Sequence, residues 1–332
     1  MTHEPKDLKL VETAGAASGS TAKSRGGSDR GARPGGERRG GARARKGTPH
    51  LKAVGRAAHA PPAHRPRRRV VAVTSGKGGV GKTNIVTNLA LALSRQGVRV
   101  LVLDGDLGLA NVDLLLGIAP QFDLQDAILG GRPIEEIVLD GPDGIRLIPA
   151  SSGVEDLANL DEYRTEVLFR SLAGLEREVD IILIDTPSGI GSHTTSLAQV
   201  ADEILVVTTP EPTAFSDAYA MIKVLSNRPL KCVPSLIVNQ VNSEEEAIEV
   251  SRRVRSVAKR FLNLDVPYWG YILADESVPK SVMRQEPFVS TYPYSPASSC
   301  IYQLARRVLG MTPQPPQGPY GLATRDPVTE EV

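Results

Sequence analysis

Between Val70 and Thr83 the chain reads VVAVTSGKGGVGKT, which sets two lysines and a hydroxyl among glycines directly after an apolar, β-branched run. Gly76, Gly78, Gly79 and Gly81 allow successive backbone N–H groups to turn inward without Cβ clashes, and such a nest fits a polyphosphate. The stretch Gly76, Lys77, Gly78, Gly79, Val80, Gly81, Lys82, Thr83 and Asn84 is therefore the expected nucleotide cradle. Lys82 is placed to neutralise the β and γ phosphates, and Thr83 to offer its hydroxyl to Mg²⁺. The same residues satisfy G-x-G-x-x-G through Gly76, Gly78 and Gly81, the pattern of a dinucleotide site. Lys82-Thr83 decides against that reading, because a lysine and a metal-binding hydroxyl at a helix start suit a triphosphate with Mg²⁺.

Three further clusters end apolar runs. Asp104-Gly105-Asp106 follows VRVLVL at 98–103, and two carboxylates beside phosphate require a metal ion or an attacking water between them. Asp185 ends IILID, the place of a carboxylate that holds a metal-bound water. Thr186-Pro187-Ser188-Gly189 forms a turn suited to sensing a γ-phosphate. Asp106 is expected to be catalytic, and Asp104 and Asp185 to serve the metal. Asn239, closing SLIVNQV, is expected to reach a base edge with its amide, the alternative being a strand-end turn former. His193, the only histidine after residue 69, reads as a capping or surface residue.

These residues must be held at the ends of strands. Apolar β-rich runs at 70–74, 98–104, 145–150, 180–187, 203–210 and 235–241 alternate with helical patterns near 83–96, 163–175, 193–201, 213–226, 243–260 and 295–309. The alternation predicts an α/β fold: a doubly wound, mostly parallel sheet with helices on both faces and the ligand at the strands' carboxyl ends.

Charge divides the chain. Residues 1–69 hold 17 Lys+Arg against 5 Asp+Glu, a net of +12, and residues 70–332 hold 22 against 33, a net of −11. The first segment is rich in Arg, Gly and Pro, lacks aromatics and has no apolar period, so it is expected to be a disordered basic arm. Glu4, Asp7 and Glu12 argue against a transit peptide. Residues 70–310 are the expected nucleoside-triphosphate-binding domain, and 311–332 a Pro-rich, disordered tail. No run is long and apolar enough for a membrane span. Cys232 and Cys300 stand alone, without a C-x-x-C pair, which suits a reducing cytoplasm and gives no support for a metal cluster.

The loop Lys77 to Thr83 matches K-G-G-x-G-K-[ST], and through it residues 70–309 resemble the MinD/ParA family of deviant Walker A ATPases. That resemblance implies ATP and Mg²⁺ as cofactors and a homodimer closed by ATP, with Lys77 reaching the partner's phosphates. It also implies that Asp106 positions the attacking water, that Thr83 and Asp185 serve the Mg²⁺ shell, and that hydrolysis is slow and partner-stimulated. Within the family, DGDLGLANVDLLLG at 104–117, SSGVEDLANL at 151–160 and PEPTAFSDAYAMIKVL at 210–225 are similar to the FlhG (FleN/YlxH) group, which regulates flagellar number and placement. Partners implied are the flagellar GTPase FlhF or other flagellar proteins. Alternatives within the family are a partition ATPase gripping nonspecific DNA and MinD-like division-site positioning; outside it stands a scaffold that uses nucleotide only to set its shape.

Two departures lie at the ends. The C-terminal amphipathic membrane helix of MinD and many FlhG proteins is replaced by Gly310 and a Pro-rich acidic tail, and the segment by which some FlhG proteins stimulate FlhF is not visible in residues 1–69. The arm offers a substitute: Arg65, Arg67, Arg68 and Arg69, at about 1 kcal/mol each near an anionic bilayer, give roughly 4 kcal/mol, and a dimer presents two arms. Peripheral attachment to the inner face of the plasma membrane, or contact with DNA, is the corresponding expectation; a solubilising tail is the plain alternative.

Overall fold

The computed structural model describes residues 69–108, 110–150, 162–175 and 178–311. The expectations for residues 1–68 and 312–332, and for the motif at 151–160, lie outside the described residues. Eight strands form one sheet: β1 (Arg69–Ser75), β2 (Val100–Asp104), β3 (Leu139–Asp140), β4 (Arg146–Ile148), β5 (Ile181–Ser188), β6 (Glu203–Thr208), β7 (Ser235–Val241) and β8 (Tyr268–Leu273). Their order is β3-β4-β2-β5-β1-β6-β7-β8, and every pairing is parallel except β3 with β4. β1 thus lies inside the sheet between β5 and β6, and its residues Val71, Ala72 and Val73 are wholly buried. Strands covered on both faces read as unbroken apolar runs, which is why they are recognisable in the sequence.

The long helices are α1 (Lys82–Ser94), α5 (Glu162–Ser171), α6 (Ser192–Gln199), α7 (Pro212–Ser226), α8 (Glu244–Leu262), α9 (Ser277–Arg284) and α11 (Pro296–Val308). Four short ones, α2 (Val112–Leu116), α3 (Leu124–Ile128), α4 (Ile134–Ile137) and α10 (Phe288–Thr291), complete the set among the described residues. On one face, Leu168 of α5, Leu197 of α6, Met221 of α7 and Val254 of α8 join a single apolar cluster. On the other, Leu89 of α1, Val289 of α10 and Ile301 of α11 join a second. The doubly wound arrangement follows the alternation seen in the sequence. β3, β8, α2, α3, α4, α9 and α10 are additions to it, and the helical stretch expected through residue 175 leaves α-geometry after Ser171 for a 3-10 turn, Leu172–Leu175.

Arg69 corrects one expectation. It was counted with the arm, but its guanidinium pairs with Glu203 at the start of β6 and donates to the carbonyl of Val308 at the end of α11. It is a clamp on the sheet and is not available to a membrane.

Candidate functional site

The phosphate cradle grows from β1. Ser75 closes the strand, and its hydroxyl donates to the carbonyl of Lys77 at 2.6 Å, which turns the chain into the loop. Gly79 and Gly81 take φ of 76° and 91°, left-handed values that glycine adopts without steric cost. At Gly76 the constraint is space, since a Cβ would lie 2.1 Å from the carbonyl oxygen of Asp217 on α7. α1 then begins at Lys82 with no side chain capping its first turn and no acidic residue in it. Its free N–H groups and positive dipole end suit an anion.

The two lysines go to different places. Lys82 is buried, and its Nζ donates to the hydroxyls of Ser75 at 3.0 Å and Ser188 at 2.6 Å. Burial lowers its pKa, and the charges of Asp185 and Asp106 oppose that shift. Lys77 lies on the rim, where its Nζ donates to Glu211 Oε1 at 2.5 Å and Thr213 Oγ1 at 2.8 Å. The Lys77 hydrogen bond holds the exposed Glu211 carboxyl below its usual value.

Asp104 and Asp185 sit side by side on β2 and β5, both buried. Asp104 accepts from the N–H of Asp106 at 3.0 Å through Oδ1, and from Asn111 and Val112, each at 3.2 Å, through Oδ2. This carboxylate braces the loop that carries Asp106. Burial and the Asp185 charge raise its pKa well above the usual range, while those backbone N–H groups pull it down. Burial pushes Asp185 up to about 7, against a hydrogen bond from Thr83 and the Lys82 charge. Among the described residues, the buried Asp185 Oδ1 has no hydrogen-bond partner. Such an orphaned oxygen, beside the Thr83 hydroxyl and a second buried carboxylate, fits a hard divalent cation whose remaining ligands are phosphate oxygens and water.

Asp106, half-buried, lines a cavity of about 550 Å³ together with Gly78, Lys82, Thr83, Asn84 and Ser188. A second cavity of about 670 Å³ continues from Gly81 and Asn84 past Asn239 to apolar Ile272, Val278 and Met283. The first suits phosphates, the second a base and sugar. Asn239 is buried there, with its Nδ2 donating to the carbonyl of Val80 at 2.8 Å and its Oδ1 accepting from the N–H of Gln240 at 2.9 Å. In this arrangement its amide supports the glycine loop at Val80.

His193 departs from expectation. It is 5% exposed, and its Nε2 lies 2.7 Å from the carbonyl oxygen of Gly105. The partners Ser75, Asp217 and Thr213 were also missed: Asp217 and Thr213 are ordinary residue types whose roles come from contacts distant in sequence, and Ser75, though close to Lys77 and Lys82, has no motif signature of its own. Ser188 was anticipated only as part of a phosphate-sensing turn.

Comparison with known proteins places this geometry among relatives. The ParA family model, described as NUBPL iron-transfer P-loop NTPase, matches residues 67–309. The antiactivator FleN of Pseudomonas aeruginosa is 40% identical over 240 residues, 72% of this chain and 86% of that protein. The flagellum site-determining protein YlxH of Helicobacter pylori is 35% identical over 238 residues, 71% of this chain and 80% of its own. The septum site-determining protein MinD of Pyrococcus horikoshii, solved with Mg-ADP, matches with a TM-score of 0.62 at 27% identity, over 73% of this chain and 96% of that one.

Proposed function

Since the chain belongs to the ParA/MinD family of P-loop NTPases, we propose that it is a Mg²⁺-dependent ATPase that dimerises when ATP binds and acts in setting the number or placement of flagella. The observation that carries the switch is the division between its lysines. Lys82 sits within the cradle between Ser75 and Ser188, whereas Lys77 stays on the rim with Glu211 and Thr213, where it can turn to a second copy's phosphates. The flagellar setting is supported by the likeness to FleN and YlxH. Iron transfer, named in the family description, lacks a thiolate pair: the sequence holds two cysteines, Cys232 before β7 and Cys300 on α11.

In this reading the N–H groups of Gly78 to Thr83 bind the triphosphate, and Lys82 exchanges its serine partners for phosphate oxygens. Asp106 orients a water whose oxygen attacks the γ-phosphorus as the bond to the β–γ bridging oxygen breaks, giving ADP and phosphate. Mg²⁺, held by Thr83 and Asp185, would neutralise charge on the β and γ oxygens. Asp104 keeps Asp106 in place.

Light scattering with ADP or ATP plus Mg²⁺ tests the switch. Wild type is expected to dimerise only with ATP, Asp106→Ala to accumulate dimer without turnover, and Lys82→Ala to lose nucleotide and dimer together. Lys77→Ala is expected to bind ATP but stay monomeric. A monomer under every condition would reject the dimerisation switch.

A further inference from the structure

We infer that His193 is a positioning residue for Asp106, joining the phosphate-sensing turn after β5 to the loop after β2 by donating from Nε2 to the carbonyl of Gly105. The inference rests on the reading of Asp106 as the residue that orients the attacking water. Gly105 stands between Asp104 and Asp106, yet its surroundings come from β5 and α6. Its N–H donates to the carbonyl of Asp185 at 2.8 Å, and its carbonyl faces His193 Nε2 at 2.7 Å. A Cβ on Gly105 would lie 2.6 Å from Leu197 Cδ1 on α6 and 2.8 Å from Asp185 O. A carbonyl only accepts, so Nε2 carries the hydrogen and the tautomer is set by this contact.

His193 also lies in the first turn of α6, directly beyond the turn Ser188 to Gly191. That turn touches the phosphate cradle twice. Ser188 Oγ accepts from Lys82 Nζ at 2.6 Å, and the N–H of Gly189 donates to the carbonyl of Ser75 at 2.9 Å. A phosphate that draws Lys82 away from Ser188 changes what holds this turn. His193 then links the turn's helix to the residue preceding Asp106, while Asp104 fixes the N–H of Asp106 from the other side. A merely structural histidine would satisfy the buried Gly105 carbonyl without affecting turnover selectively.

The test uses the full chain with Mg-ATP, measuring turnover, ATP affinity and the thermal midpoint for wild type, His193→Leu, His193→Asn, His193→Gln and Asp106→Ala. Gln can place an amide donor where Nε2 stands; Asn falls one bond short; Leu has none. Misplacing Asp106 is expected to lower kcat about ten- to hundredfold in the Leu and Asn variants, with ATP affinity near wild type, and the Gln variant is expected to recover most of the rate. Wild-type turnover in a folded His193→Leu, alongside a dead Asp106→Ala, would overturn the role of His193 alone. Full turnover in Asp106→Ala would overturn the reading of Asp106 and this inference with it. If His193→Leu does not fold, the Gln and Asn variants decide, and equal turnover in those two overturns the proposal.

Discussion

Asp185 is the residue at which the site's electrostatics are most exacting. Its carboxylate is buried, its Oδ1 has no hydrogen-bond partner among the described residues, and burial lifts its pKa to about 7 from 3.8. Because the folded chain holds this proton more tightly than the unfolded chain, the associated stability is fully present below about pH 4 and is lost as pH rises through 7. At about 1.4 kcal/mol per pKa unit, the loss is on the order of 4 kcal/mol. Nucleotide-free Asp185→Asn is therefore expected to exceed wild type in thermal midpoint at pH 8, with the gap narrowing toward pH 5. Scanning fluorimetry across that range checks it, and parallel curves for the two proteins would show that Asp185 does not titrate as described. The same substitution is expected to remove most of the stabilisation by Mg-ATP, since it exchanges an anionic ligand for a neutral amide.

At the scale of elements, legibility followed length and burial. Strands β1, β2, β5, β6 and β7 are unbroken apolar runs and were placed within a few residues of their observed limits. β8 escaped because Pro267 precedes it, Gly270 interrupts it at φ 130°, and most of its residues are only half-buried. α2, α3, α4 and α10 are each five residues or shorter, too brief for a helical period to register. The P-loop was fully visible as a motif, whereas the contacts that hold it were not. Ser188 meets Lys82 across 106 positions, and Asp217 meets Gly76 from another helix. A second prediction follows from that packing. Gly76→Ala drives a methyl group into the carbonyl of Asp217, so the loop after β1 and α7 must separate. Overpacking of this kind costs about 1–3 kcal/mol. Chemical denaturation should show that loss together with weaker ATP binding; an unchanged midpoint would mean that α7 yields freely.

For the whole molecule, charge is partitioned along the sequence: +12 in residues 1–69 and −11 in the rest. With Arg69 clamped to Glu203 and Val308, the four-arginine cluster expected from the sequence to meet a polyanion is reduced to Arg65, Arg67 and Arg68, which lie outside the described residues. At about 1 kcal/mol each, one such cluster gives roughly 3 kcal/mol, which is weak attachment unless two copies act together. Sedimentation with phosphatidylserine vesicles at low salt is expected to bring down full-length protein in ATP more than in ADP. Deletion of residues 1–68 should abolish the difference while leaving ATP binding intact. Equal sedimentation of the two proteins would separate the arm from any membrane role. The interior position of β1 carries a consequence in time. Both neighbours of this strand are encoded more than a hundred residues after it, β5 at Ile181–Ser188 and β6 at Glu203–Thr208. At about 5–20 residues per second, a ribosome needs roughly 6–20 s between making the glycine loop and making the first strand that can shelter it. The sequence that most plainly announces ATP is thus synthesised early and becomes competent late, so a nascent chain able to hold nucleotide is one in which the Asp106 loop after β2 and the turn at Ser188 have both already emerged.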